Sequence, residues 1–113
     1  ENVSNSNRIA NAMKLSYIRY ATPETPIIFS CLQLNDAVRI VHLPGEPFVE
    51  YQLFAAQDEP QKFVAVAGYG DGGCGYIPLE KSFAEGGYEP TWAFAAPASE
   101  SMIRSTMRQL MNQ

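Results

Sequence analysis

Apolar residues recur along this chain with two different periods, and each change of period marks an element. Ile9, Met13, Tyr17 and Tyr20 fall at near-helical spacing, so residues 5–20 are expected to form an amphipathic helix. Thr22-Pro23 and Thr25-Pro26 end it. Residues 27–34 and 37–43 are β-rich, and Asn35-Asp36 between them is a hairpin signal, which predicts an antiparallel pair. Pro44-Gly45-Glu46-Pro47 then breaks the strand, with Pro47 suited to the first position of a helix. Phe48, Val49, Tyr51, Leu53 and Phe54 give that helix a broad apolar face, closed by Asp58-Glu59-Pro60. The apolar run 63–67, bounded by Pro60 and Gly68, predicts a strand buried on both faces.

Strand, helix and strand in this order make a right-handed βαβ crossover the natural topology. Residues 79–85 suggest a short helix. Residues 98–111 predict a longer one, with Ser99 as N-cap and Met102, Ile103, Met107, Leu110 and Met111 on one face. Methionines at that spacing read as core filler before a cofactor box. The expected fold is α/β: a mixed sheet with a β-hairpin and a βαβ unit, flanked by N- and C-terminal helices.

Length and composition bound this picture. A chain of 113 residues, 46% hydrophobic, suits a single domain with a core of its own. A net charge of -4 with scattered Lys and Arg argues against a nucleic-acid surface. No apolar run approaches the roughly 20 residues of a membrane span, and the first residues lack the basic start and apolar stretch of a signal peptide. The absence of an initial Met fits a processed chain or a piece of a longer one. Cys31 and Cys74 make no disulfide framework, and Cys31 is expected as a buried free thiol. Asn2-Val3-Ser4 matches a glycosylation sequon, a weak signal at a terminus.

Candidate chemistry concentrates in residues 68–88, which hold seven of the eight glycines together with Tyr69, Tyr76 and Tyr88. Glycine this dense marks backbone with positive φ or in close approach to a neighbour. Both this segment and Glu46 follow the carboxyl ends of expected strands, where α/β sheets form their ligand crevices, so the two should be neighbours. Each residue also has a plainer reading. Glu46 could serve only as an anion at a helix N-terminus, and Tyr76 and Tyr88 could be core tyrosines. Asp71, in an Asp-Gly turn signal, could accept a hydrogen bond behind the site. Cys74 could be a soft ligand, but no basic neighbour lowers its pKa, which favours a small residue in a tight loop. The glycine run lacks the Gly-Lys-Ser/Thr of a phosphate loop.

Three motifs in order carry a resemblance: Leu43-Pro44-Gly45-Glu46 after a strand, Gly75-Tyr76-Ile77-Pro78, and Gly86-Gly87-Tyr88-Glu89. Together they resemble the neutral/alkaline ceramidase family, zinc-dependent amidohydrolases that cleave the N-acyl bond of sphingolipids. The interval of 12 between Tyr76 and Tyr88 matches the family's paired tyrosines. The motif detail covers residues 38–92. The resemblance implies Glu46 and Tyr76 as zinc ligands alongside two histidines, and Tyr88 as a hydroxyl beside the substrate carbonyl. It further implies a lipid-like amide substrate and a secreted or envelope-associated protein. A carboxylate is an ordinary zinc ligand, and a dication favours the phenolate of a tyrosine whose reference pKa is about 10.

His42 is the only histidine here, and the resemblance gives it no ligand role. Strand-end packing or a second-shell hydrogen bond suits it better. The chain is therefore expected to be the C-terminal part of a larger catalytic domain, binding Zn2+ only with histidines from the preceding part and inactive alone. Leu79 stands where many relatives place a threonine, and a chain ending at Gln113 is expected to lack the immunoglobulin-like domain that follows in many ceramidases. Both departures bear on the lipid substrate more than on the metal chemistry. The alternative is a non-catalytic module in which tyrosines and Trp92 hold a sugar or peptide. A third possibility is a structural domain whose glycine loop packs on a partner. The hydrolase reading requires Glu46 and Tyr76 to converge, with Tyr88 within several ångströms. A binding module requires aromatic faces along one groove with Glu46 elsewhere.

Overall fold

A computed structural model describes residues 5–70 and 73–113. Helix α1 (Asn5–Tyr20) is followed by strands β1 (Ser30–Gln33), β2 (Val38–Pro44) and β3 (Glu46–Pro47), then by helix α2 (Val49–Asp58). Strands β4 (Phe63–Gly70) and β5 (Tyr76–Ile77), helix α3 (Glu80–Glu85), a 3-10 turn at Glu89–Trp92 and helix α4 (Ser99–Met111) complete the chain. The larger sheet is mixed, with order β1-β2-β4. Strands β1 and β2 are antiparallel with Cys31 opposite Val41, and β2 and β4 are parallel with Val41 opposite Val66. The α/β expectation, with its hairpin and its β2-α2-β4 unit, describes the molecule.

Alternation along β2 decides which face is covered. Arg39, Val41 and Leu43 are buried, while Val38, Ile40 and His42 on the opposite face are half-buried. Helices α2 and α4 bring Tyr51, Ala55, Ile103, Met107 and Met111 onto the first face, joined by Cys74, Ile77 and Leu79. Each large side chain buried there contributes roughly 1.5–3 kcal/mol. The two helices also meet at their edges, where Arg108 makes a two-pronged pair with Asp58 (2.8 and 3.2 Å) and Arg104 lies 3.7 Å over the Phe54 ring. Being exposed, the Arg108 pair contributes about 0–1 kcal/mol.

Several local expectations are corrected. Pro47 does not open helix α2; it lies in β3 opposite Ile77, and Phe48 takes the N-cap position. Proline's fixed φ suits an edge strand as well as a helix start. Glu46 consequently sits in a strand, outside the first turn of α2. Ser99 is the first residue of α4 rather than its cap, which is Ala98. Met102 is exposed, so the buried stripe of α4 narrows to Ile103, Met107 and Met111.

Strand β4 is an edge strand with helices over one face, so Val64 is buried whereas Phe63 is exposed. The hairpin turn is wider than two residues: Leu34 N–H bonds Val38 O at 3.0 Å, and the Asn35 carboxamide accepts Ala37 N–H at 2.8 Å. Cys31 is half-buried, and Cys74 is the buried free thiol.

Helix α1 forms where its periodicity places it, yet it buries none of its residues. It meets the body in part through a stack of Tyr17 on Phe94, ring centroids 4.5 Å apart. The radius of gyration is 15.8 Å, against about 13 Å for a compact chain of 100 residues. Among the described residues no helix is long and apolar enough to cross a membrane.

Candidate functional site

The site is assembled where β2 leaves the sheet. Gly45 takes φ 79° and redirects the chain so that Glu46-Pro47 runs parallel to Tyr76-Ile77. Glu46 N–H donates to Gly75 O at 2.8 Å, and Phe48 N–H donates to Ile77 O at 3.1 Å. Residues opposite one another across a ladder project to the same face. The register pairs Glu46 with Tyr76.

On the other side of β5, Gly75 bridges Ala93, and Phe94 N–H donates to Cys74 O at 2.9 Å. Gly75 has φ 70°, and a Cβ there would collide with the Trp92 carbonyl oxygen. Residues 73–77 thus lie flat between the Gly45–Pro47 corner and residues 92–94. The glycines let a bulky phenol be carried into that narrow space.

Above this corner opens a cavity of about 550 Å³. Glu46 and the rings of Tyr69, Tyr76 and Tyr88 line it, and Trp92, Phe94 and Met13 add apolar wall. The Tyr76 and Tyr88 rings meet edge to face, centroids 6.0 Å apart, and Tyr88 lies 6.2 Å from Trp92. Glu46 is the one carboxylate among the described lining residues.

The electrostatics keep the neighbouring phenols protonated. Hydrogen bonding to Glu46 pushes the Tyr69 hydroxyl above the usual phenol range, with burial and the Glu46 charge adding to it. Burial pushes Tyr76 up first, and the Glu46 charge next. Both phenols therefore offer O–H donors around one acceptor at neutral pH.

The structure thus brings Glu46, Tyr76 and Tyr88 together around one cavity. His42 is not among the residues lining it; it occupies the half-buried face of β2, with its ring carbon near Gly70. Asp71 lies outside the described residues. Cys74 sits buried behind Gly45, and burial pushes its thiol pKa up, as suits an unreactive packing residue.

Tyr69 emerges with a distinct position that its sequence context signalled only by the glycines on either side. Met13 and Phe94 join the cavity through tertiary packing, and no local signal marks them. Glu46 and Tyr76 offer two oxygens of the kind zinc accepts, with the carboxylate carrying the charge a dication needs. Among the described residues no group of three or more His, Cys, Asp or Glu side chains is placed to hold a metal ion. The pair could contribute part of a coordination sphere and no more. Comparison with known proteins finds no match to a family model, to a curated protein or to a solved structure.

Proposed function

We propose that this chain is the C-terminal portion of the catalytic domain of a ceramidase-like zinc amidohydrolase acting on the N-acyl bond of a lipid-like substrate. The observation that carries the reading is the register of β3 on β5, which pairs Glu46 with Tyr76 at the wall of a cavity that Tyr88 shares. The three motifs that resemble the ceramidase family contain these residues, and their meeting at one cavity supports the reading.

In this reading Glu46 and Tyr76 hold Zn2+ together with histidines from the preceding part of the domain. When bound, Zn2+ supplies Lewis-acid polarisation of a carbonyl and lowers the pKa of water. The chain's own groups do the rest. Glu46 brings the negative charge that attracts the cation. Tyr88, whose ring meets that of Tyr76 edge to face, would offer an O–H donor suited to an oxygen on which charge develops. Trp92, Phe94 and Met13 form a dry surface for an acyl group and limit water near the reacting bond. A secreted or envelope location belongs to the same proposal.

The Tyr88–Trp92 pair also favours a second reading, a module that holds a sugar or peptide against aromatic faces without chemistry. One set of measurements separates the two. The full-length protein is assayed for retained zinc and for fatty-acid release from an N-acyl sphingoid base, beside its Glu46→Ala variant. The hydrolase reading expects both properties in the wild type. Glu46→Ala should weaken Zn2+ binding by more than about 100-fold, since losing an outer partner alone costs about 10–100-fold. Wild-type protein that retains no metal and cleaves no N-acyl amide would sink it. Sugar or peptide binding unchanged by Glu46→Ala would favour the module.

A further inference from the structure

Tyr69, Tyr76, Tyr88 and Trp92 line one cavity of about 550 Å³, and Glu46 is the one carboxylate among its described lining residues. Burial does not account for two of these rings: Tyr69 is 76% and Tyr88 62% exposed, so neither serves the core. Tyr69 is also the only non-glycine residue with positive φ (61°) among the described residues. A bulky residue in that region is strained and persists only where its surroundings impose it. Here its N–H donates to Gly45 O at 2.5 Å, and a Cβ at Gly68 would lie 2.8 Å from the Pro47 ring. The end of β4 is thus pressed along the segment that bears Glu46, and an exposed phenol is held at the cavity at the expense of backbone strain.

The set of the walls narrows what fits between them. The Tyr76 and Tyr88 rings stand at 75° with centroids 6.0 Å apart, and Tyr88 and Trp92 stand at 47° and 6.2 Å. Rings at such angles are not the parallel plates that would sandwich a flat group; they suit a compact, rounded one. The face of each ring carries partial negative charge, so aromatic walls favour a cation. The fixed charge agrees with them. No Lys, Arg or His is among the described lining residues, and the ion pairs of the described residues engage Asp58, Glu59 and Glu100 but not Glu46. An anion would be repelled, and a neutral sugar would leave the carboxylate unmatched. A metal ion would find one carboxylate and no imidazole or thiolate among the described lining residues. A cation with an apolar coat matches both the rings and the charge.

We propose that this cavity is an aromatic cage for the quaternary ammonium group of a small molecule, with the ring faces of Tyr69, Tyr76, Tyr88 and Trp92 around its methyl groups and Glu46 as the counter-charge. The volume falls within the range of about 300–1,000 Å³ usual for small-molecule sites. The inference goes beyond both readings above and needs no metal. The ammonium group belongs either to a free choline-type molecule or to a lipid headgroup.

The test is calorimetric titration of the full-length protein, with and without EDTA, using choline and its neutral carbon isostere dimethylbutanol. Choline should bind at least about 10-fold more tightly than the isostere in one of the two conditions, because only choline carries the charge that Glu46 faces. Glu46→Gln keeps the shape, removes the charge and should weaken choline by a similar factor. Tyr88→Leu removes a ring face and should weaken choline by about 5- to 30-fold. Tyr88→Phe keeps the face and should stay within about twofold of wild type. Phosphocholine distinguishes the two sources: a headgroup site binds it at least as tightly as choline, and a site for the free molecule binds it more weakly.

Failure of choline to bind in either condition would overturn the proposal. So would equal affinity for choline and the isostere, a comparison that needs no variant and therefore no assumption about folding. Equal losses in Tyr88→Phe and Tyr88→Leu would also overturn it, since the hydroxyl and not the ring face would then hold the ligand. Binding seen only with EDTA would support the cage and leave the zinc reading standing, with metal and ammonium sharing Glu46.

Discussion

At Gly75 the absence of one carbon atom decides whether the corner can close. The residue has φ 70°, and its Cα faces the Trp92 carbonyl too closely for any Cβ. Two costs therefore coincide in Gly75→Ala: the left-handed backbone, and a collision with main-chain atoms that cannot rotate away. The substitution should destabilise the protein by more than about 2 kcal/mol, read as a lower urea midpoint with an unchanged slope. Because Gly75 O accepts the Glu46 N–H, the damage should reach the site as well. By contrast, a Cβ at Gly86 would meet nothing within 4 Å, so only its positive φ (81°) resists substitution there. Gly86→Ala should therefore cost less than Gly75→Ala in the same titration. Equal costs would mean that backbone conformation, and not the approach of residue 92, limits this corner.

Strand β4 shows how an element is completed by a neighbour of another kind. It pairs with β2 on one side only. Gln52, projecting from α2, donates to Val64 O at 2.6 Å and accepts Val66 N–H at 2.7 Å. One side-chain amide thus caps a donor and an acceptor of the strand, which both fixes α2 and blunts an edge open to stray pairing. Gln52→Met keeps the volume and removes both bonds, so it should cost about 1–3 kcal/mol in urea unfolding. A loss below about 0.5 kcal/mol would show that water replaces the amide. Nothing in the sequence singles out Gln52, because a polar residue on a helix is ordinarily solvated.

The legible features are those that local chemistry dictates. The period of residues 5–20, the β-rich runs around Asn35-Asp36 and the stripe Ile103-Met107-Met111 all specify elements that are present. Glycines of the dense segment line the cavity, and Glu46, Tyr76 and Tyr88 line it with them. Burial was less legible. Helix α1 has an apolar stripe that the described residues leave exposed, and the apolar run of β4 does not reveal that only one face is covered. Pro47 misled for a different reason, since its φ fits two elements and only pairing with Ile77 chooses between them.

For the molecule as a whole, several protons are held inside one core. Burial pushes the Tyr51 hydroxyl well above the phenol range, with the Glu100 and Cys74 charges adding to it. Burial also raises Cys74, and it raises Tyr17 at the foot of α1. Each of these groups binds its proton more tightly folded than unfolded. In the unfolded chain the thiol releases its proton near pH 8.5 and the phenols near pH 10. Between those values and the higher folded-state pKa values, the unfolded state binds fewer protons, so stability falls as pH rises. The contribution is complete below about pH 8 and is lost through the alkaline range, beginning with the thiol. A net charge of -4 at pH 7 grows more negative over the same interval, and self-repulsion acts in the same direction. Urea midpoints measured from pH 7.5 to 10.5 should therefore stay level and then decline from about pH 8.5 in the wild type. In Cys74→Ala the decline should start later, near pH 10, where only the phenols remain. The comparison is made on each protein's own pH profile, so the packing lost with the sulfur does not enter. An identical onset in both proteins would remove Cys74 from the account. A wild-type midpoint level to pH 10.5 would mean that the core gives up these protons as readily as water does.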